Sequence, residues 1–158
     1  MIKNHYFLLL IDETLNQLFS ISIFIQLDFK NIYYCIHIKK NNKWKIVFHT
    51  CYRYYEYQVM FFDLINVSVT FQVYINKTFN NLLNICCIVY LDDILIYSNF
   101  KKQHYYHVHK ILECLHKYKL YVKISKYFFE IDIVNFLSFV VSFYSIQMKK
   151  SQIEIIFK

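Results

Sequence analysis

The sequence of 158 residues contains no glycine, no proline and no alanine, and Arg53 is its only arginine. At average usage a chain of this length carries about 11 Gly and about 8 Pro. Without glycine, no GxGxxG or GxxxxGKS/T loop can cradle a phosphate, so dinucleotide and P-loop nucleotide sites of those types are excluded. Collagen-like and proline-rich linker readings fall with them. Long apolar runs are scarce as well. The longest richly apolar stretch free of charge spans residues 133–148, short of a membrane span, and its Asn135, Ser138 and Ser142 suit a pair of buried strands. Near Met1 the apolar stretch is brief and acids follow it at once, so no secretory signal is expected.

What is present is apolar and aromatic. Phe, Tyr, Met, Ile, Asn and Lys supply 87 of the 158 residues. These are the residues spelled by A/T-rich codons, so the composition records drift of the underlying DNA beside protein physics. A hydrophobic fraction of 57% rules out a disordered chain, and the length permits one domain over residues 1–158 with a real core, or a piece of a larger one. The formal charge of +7 favours a polyanionic partner, although lysine-rich drift gives the same sign. Five cysteines, an odd number, fit reduced thiols in an intracellular setting. Adjacent Cys86 and Cys87 would point to opposite faces of a strand, which reads as core and not as a chelating pair.

No repeat or linker divides the chain. In IDETLNQL, Ile11, Leu15 and Leu18 share a helical face, with Asp12 and Glu13 in the first turn. ISIFIQLDF, WKIVFHT and YYEYQVMFF read as strands. A helix is expected over about 68–83 with Asn66 or Ser68 as its cap. CCIVYLDDILIY, residues 86–97, reads as two strands joined by Asp92 and Asp93. Val108, Ile111, Leu112 and Leu115 mark a helix within 101–118, and LYVKI, KYFFEI and NFLSFVVSF follow as strands. Helices interleaved with hairpins imply an α+β class built on an antiparallel sheet.

Acids are rare inside such runs because an unpaired buried carboxylate is very costly. Yet Asp28 ends FIQLD, and Asp92 and Asp93 stand between CIVYL and ILIY. If these strands are neighbours, three carboxylates converge, and they repel one another unless cations fill the gap. Mg²⁺, which binds hard oxygen ligands together with substrate phosphates, suits that role. A pair of such ions about 4 Å apart stabilises the attacking and leaving oxygens of phosphoryl transfer. An isolated Asp pair more often builds a turn, so context decides.

That context is a family resemblance. YLDDILIYS, residues 90–98, resembles the YxDD hairpin of reverse transcriptases of gypsy-type LTR retrotransposons. IKNHYFLLLIDETL, FIQLDFKNIYYCIHI, the long stretch from WKIVFHT to VSVTFQ, HYYHVHKILECLHKYKLYVKISKYFF and NFLSFVVS resemble further blocks of the same domain, in order. The resemblance implies a polymerase palm with partial fingers and little of the thumb. It implies RNA-directed DNA polymerase activity, in which a primer 3′-hydroxyl attacks a deoxynucleoside triphosphate on an RNA or DNA template. Asp28, Asp92 and Asp93 would be the catalytic, metal-binding carboxylates for two Mg²⁺ ions, with Mn²⁺ as a substitute. Tyr33, Phe62 and Gln72 would line the nucleotide site, and Tyr90 would lie beside the primer terminus.

Several departures from the family pattern fall where backbone geometry matters. Asp63, Lys119 and Ser138 stand where the family has glycine, Leu9 and Ser68 where it has proline, and Ile32 where a small residue is expected close to the triphosphate. Most of the exchanges are reachable by C-to-T or G-to-A transitions. They imply a decaying, truncated copy with impaired activity, and the alternative reading is a non-catalytic remnant that at most binds nucleic acid through its basic surface.

Two other constellations are weaker. His104, His107 and His109 suggest zinc, but His109 leaves the face shared by the other two, so a solvated helix face is the plainer reading. The aromatics of CYRYYEYQV suit base stacking and strand packing equally.

Overall fold

The computed structural model describes residues 10–61, 64–123 and 128–150. Helix α1 (Ile11–Leu18) carries Asp12 and Glu13 in its first turn, where they complement the positive end of the helix dipole. Leu15 and Leu18 are buried as the spacing predicts, whereas Ile11 stays 40% exposed. Strand β1 (Ile23–Asp28) follows, then two short 3₁₀ turns at Ile32–Cys35 and Lys40–Lys45. Strands β2 (Val47–His49) and β3 (Tyr54–Glu56) form a small separate hairpin, shorter than the sequence suggests.

Helix α2 (Val67–Thr78) starts after Asn66, which holds the N-cap position without a side-chain capping bond. It stops well before residue 83 because the chain turns at Phe79–Asn84, where Leu82 and Leu83 donate back to the Phe79 carbonyl and Asn84 adopts a left-handed φ of 60°. Strands β4 (Cys87–Tyr90) and β5 (Asp93–Ser98) are the expected hairpin. Its register pairs Tyr90 with Asp93, so the turn is Leu91–Asp92 and Asp93 already belongs to β5, one residue earlier than the sequence reading.

Helix α3 (Lys101–Lys117) buries Ile111 and Leu115, while Leu112, expected on the same face, is exposed. Of LYVKI, only Val122 is bridged, antiparallel to Phe29; Ile124 lies outside the described residues. Strands β6 (Phe128–Ile131), β7 (Ile133–Phe136), β8 (Phe139–Ser142) and β9 (Ile146–Met148) complete the order.

The central sheet runs β4-β5-β1-β6 with antiparallel pairing throughout, and β7-β8-β9 form a second antiparallel sheet. Side-chain alternation gives the central sheet two apolar faces. Ile25, Leu27, Val89, Ile94 and Ile96 pack with Phe71 and Ile75 of α2 and Ile111 and Leu115 of α3. Phe24, Ile88, Leu95 and Tyr97 pack on the other side with Leu15 and Leu18 of α1 and Val134, Phe136 and Val141 of the second sheet. Each fully buried Phe, Ile or Leu contributes roughly 1.5–3 kcal/mol relative to exposure, so a sheet buried on both faces is a rigid platform. Cys86 and Cys87 are both buried in this core, and the five cysteines are free thiols.

Two left-handed residues coincide with the missing glycines. Lys119 (φ 54°) follows α3 in a Schellman arrangement: Leu120 N–H donates to the Leu115 carbonyl at 2.9 Å and Lys119 N–H to the His116 carbonyl at 3.2 Å. Leu137 and Ser138 form the two-residue turn between β7 and β8, with φ of 49° and 73°. Positive φ at both central positions is the type I′ pattern, which normally takes Asn-Gly.

Candidate active site

The end of β1 lies between the β4–β5 turn and the segment after α3. Asp28 pairs in register with Asp93, and Asp93 with Tyr90. On the far side the Phe29–Val122 bridge sets Lys123 beside Asp28. Tyr90, Asp93, Asp28 and Lys123 therefore make one rung across four chain segments. Directly opposed residues of antiparallel strands share a face, with Cα atoms about 4.5–5.5 Å apart. Backbone bonds lock this end of the sheet: Phe29 N–H donates to the Asp92 carbonyl, Lys30 N–H to Tyr121 and Lys123 N–H to Asp28, each at 2.8 Å.

The two carboxylates that face each other would repel, and Lys123 offsets part of that. Its Nζ stands 3.0 Å from Asp28 Oδ1, an ion pair whose carboxylate side chain is 10% exposed and whose ammonium side is 41% exposed. Asp92, in the turn, hydrogen-bonds the Tyr33 hydroxyl; burial first, and then this contact and the Asp92 charge, raise the Tyr33 pKa well above the ordinary phenol range. The Tyr33 ring packs edge-on against Phe71 at 5.2 Å, which fixes it beneath the turn. The other Asp92 oxygen, Oδ1, is buried without a hydrogen-bond partner.

Such a donor set fits a hard divalent cation: oxygen ligands only, two carboxylates in register, and a buried carboxylate oxygen lacking a partner. Among the described residues no three His, Cys, Asp or Glu side chains stand close enough together to enclose an ion as they are. Asp28 is held by Lys123 and Asp92 by Tyr33.

Gln72, which the resemblance implies lines the nucleotide site, lies against the turn that carries Asp92. Only 1% exposed, it donates from Nε2 to the Val89 carbonyl at 3.0 Å and to Asn76 Oδ1 at 3.1 Å, and its Oε1 accepts Leu91 N–H at 3.3 Å. The side chain thus pins the end of β4 and the first residue of the turn that presents Asp92. Tyr90 packs against the core on the α1 side. Phe62 and Asp63 lie outside the described residues. Ile32 is buried in the core on the helix side, so its bulk is absorbed there and does not stand in an open site.

Sequence reasoning missed Lys123, whose role depends on a chain return after α3 that no local pattern reveals. It also misread the histidines. His104 is buried and, with His107, converges on Ser98 Oγ, at 3.1 Å and 2.8 Å between each Nδ1 and the hydroxyl, while His109 lies with Glu113 on the surface. The pair fastens α3 to β5, so this stretch of the helix is not a solvated face. A cleft of about 510 Å³ between the end of α2 and α3 contains none of the three carboxylates. Among the described residues no helix is long and apolar enough to cross a membrane.

Comparison with known proteins identifies the family and the fold. Residues 2–141 match the family model described as reverse transcriptase (RNA-dependent DNA polymerase). The Transposon Tf2-3 polyprotein of Schizosaccharomyces pombe is 30% identical over 139 residues, covering 88% of this chain and 10% of the polyprotein. The Tf2-7 polyprotein of the same yeast gives the same figures, so the chain spans about a tenth of the length of these relatives. Among solved structures, a foamy viral protease-reverse transcriptase in complex with double-stranded DNA superposes with a TM-score of 0.86 at 17% identity, covering 99% of this chain and 27% of that one. The same viral protein in complex with an RNA/DNA hybrid gives 0.76 at 16% identity over 90% of this chain and 20% of that one. The α+β architecture is that of a retroviral palm with part of the fingers, and the chain belongs to the reverse transcriptase family.

Proposed function

We propose that this chain is a single unit, the palm and part of the fingers of a retrotransposon polymerase, and that it extends a primer along an RNA or DNA template with deoxynucleoside triphosphates. The observation that carries this reading is the Asp28–Asp93 rung beside the Asp92 turn. Asp28, Asp92 and Asp93 would hold two Mg²⁺ ions, or Mn²⁺ in their place, which when bound supply charge neutralisation at the attacking and leaving oxygens. The protein's part is positioning: the doubly buried sheet fixes Asp28 and Asp93, Gln72 fixes the turn, and Tyr33 packs under it where the incoming sugar would lie. Tyr90 on the same rung would support the primer terminus, and Phe62 would line the nucleotide site. Template contact falls to the β2–β3 hairpin and the 3₁₀ turn before it, where Tyr52 is 88% exposed and Tyr54 and Trp44 are also exposed among Lys43, Lys45 and Arg53. Aromatics interleaved with cations suit a single strand. Five free thiols support an intracellular setting.

Primer extension with Mg²⁺ tests the reading, with Asp92→Asn as control. Incorporation above that variant is the expected result. Incorporation equal to it removes the catalytic claim and leaves the second reading, a remnant that binds nucleic acid without copying it. Non-glycine residues forced to positive φ at Lys119, Leu137 and Ser138 favour that second reading.

A further inference from the structure

We propose that Lys123 is a built-in counter-cation of Asp28 that competes with the divalent ion, so that metal entry requires the ammonium to leave the carboxylate. The inference rests on the proposed metal-binding role of Asp28 and Asp93.

Three observations carry it. First, the rung places Lys123 directly beside Asp28, with Asp93 directly on the other side. Two like charges opposed across antiparallel strands are destabilising, and one ammonium 3.0 Å from Asp28 Oδ1 offsets them. Second, the pair is lopsided in exposure. The carboxylate is nearly buried while the Lys123 side chain is 41% exposed, so its head has an open path to water. Third, backbone and side chain are separable. Lys123 N–H donates to the Asp28 carbonyl at 2.8 Å, which holds the segment in register whatever the side chain does. A flexible four-carbon stem then lets the ammonium swing away without disturbing the sheet.

The chemistry gives the exchange its direction. A lysine presents a single charge and only donors, whereas the rung and turn offer oxygens from three carboxylates, one of them, Asp92 Oδ1, without a partner. A divalent ion brings twice the charge and accepts several oxygens at once. Lys123 thus keeps Asp28 paired in the metal-free protein, and its departure is part of the cost of loading the site. A partly exposed ion pair contributes at most about 1 kcal/mol, which corresponds to roughly fivefold in affinity.

The test is Mn²⁺ binding by the whole chain, followed by electron paramagnetic resonance of the free ion. Lys123→Met is expected to bind Mn²⁺ roughly fivefold more tightly than the parent. Equal or weaker affinity overturns the proposal. Because that variant can fail to fold, a second measurement uses the unaltered chain: acetylation of Lys123, read by mass spectrometry, is expected to speed up as Mn²⁺ is added. Labelling unchanged at saturating Mn²⁺ overturns the proposal as well. Asp28→Asn and Asp93→Asn separate the two levels. If they abolish Mn²⁺ binding while Lys123→Met matches the parent, the competition fails and the metal site stands. If they leave Mn²⁺ binding intact, or no variant binds it, the site reading fails and takes the competition with it.

Discussion

Gln72 Oε1 accepts the backbone N–H of Leu91 at 3.3 Å, across 19 residues of sequence, while its Nε2 donates to the Val89 carbonyl at 3.0 Å. A single buried amide therefore ties helix α2 to the β4 arm and to the first residue of the turn that carries Asp92. Leu91 needs the restraint, since its φ of 49° is one a leucine avoids. Gln72→Leu fills the same space but leaves the Val89 carbonyl and the Leu91 amide without this partner. The expected cost is about 1–3 kcal/mol in urea unfolding, with faster hydrogen exchange at the Leu91 amide than at amides of β1. Exchange that speeds up uniformly would mean that Gln72 supports the fold without holding the turn.

Lys119 and Ser138 adopt left-handed conformations at the positions where the family pattern has glycine. A residue with a Cβ pays roughly 1–2 kcal/mol there, and glycine recovers most of that, less its greater freedom in the unfolded chain. Lys119→Gly and Ser138→Gly are each expected to stabilise by about 0.5–1 kcal/mol. The two sites, a helix end and a separate hairpin, share no partner in the described bonds, so the gains should add in the double variant. Urea midpoints of the three variants check this, and a loss at either site would show that the lysine or serine side chain matters more than the backbone.

These positions also show how far the sequence could be read. Lys119 and Ser138 were legible because a helix end and a tight hairpin have residue preferences that survive as a pattern even when the residue is wrong. Leu91 and Ser20 also have positive φ, yet no local residue preference singles them out. The carboxylates were legible for a related reason: acids ending apolar runs have to be brought together by something, and the Asp28–Asp93 register supplies it. Gln72 and Lys123 were not, since their partners are set by nonlocal packing. The sequence shows a glutamine in a helix and a lysine after one, and nothing about what each reaches.

Asp93→Asn removes one of the two opposed charges at the rung. Without metal the variant is expected to gain about 0.2–1 kcal/mol, the size of a like-charge cross-strand term. With Mn²⁺ the order should reverse, because only a protein that binds the ion gains stability from it by mass action. Thermal unfolding with and without Mn²⁺ gives both comparisons in one experiment. A parent chain whose unfolding temperature ignores Mn²⁺ would argue against a metal role for this rung.

Alkaline pH should loosen the fold through buried phenols. Burial pushes the Tyr97 hydroxyl up to about 12 from an ordinary value of 10, and the neighbouring Cys87 and Cys86 thiols push it in the same direction. A group whose folded pKa is raised contributes stability that is fully present below its unfolded value. As pH climbs from about 10 toward 12, the unfolded chain sheds the Tyr97 proton while the folded chain keeps it, so that contribution is progressively lost. Tyr33, raised by burial and by its bond to Asp92, adds to the same slope. The urea midpoint should therefore fall over this interval and less steeply in Tyr97→Phe, which has no proton to lose. Phenolate absorbance should meanwhile show a late-titrating class that shrinks in that variant. A parent and variant with parallel pH profiles would place the alkaline sensitivity elsewhere, in Tyr33 or the buried thiols.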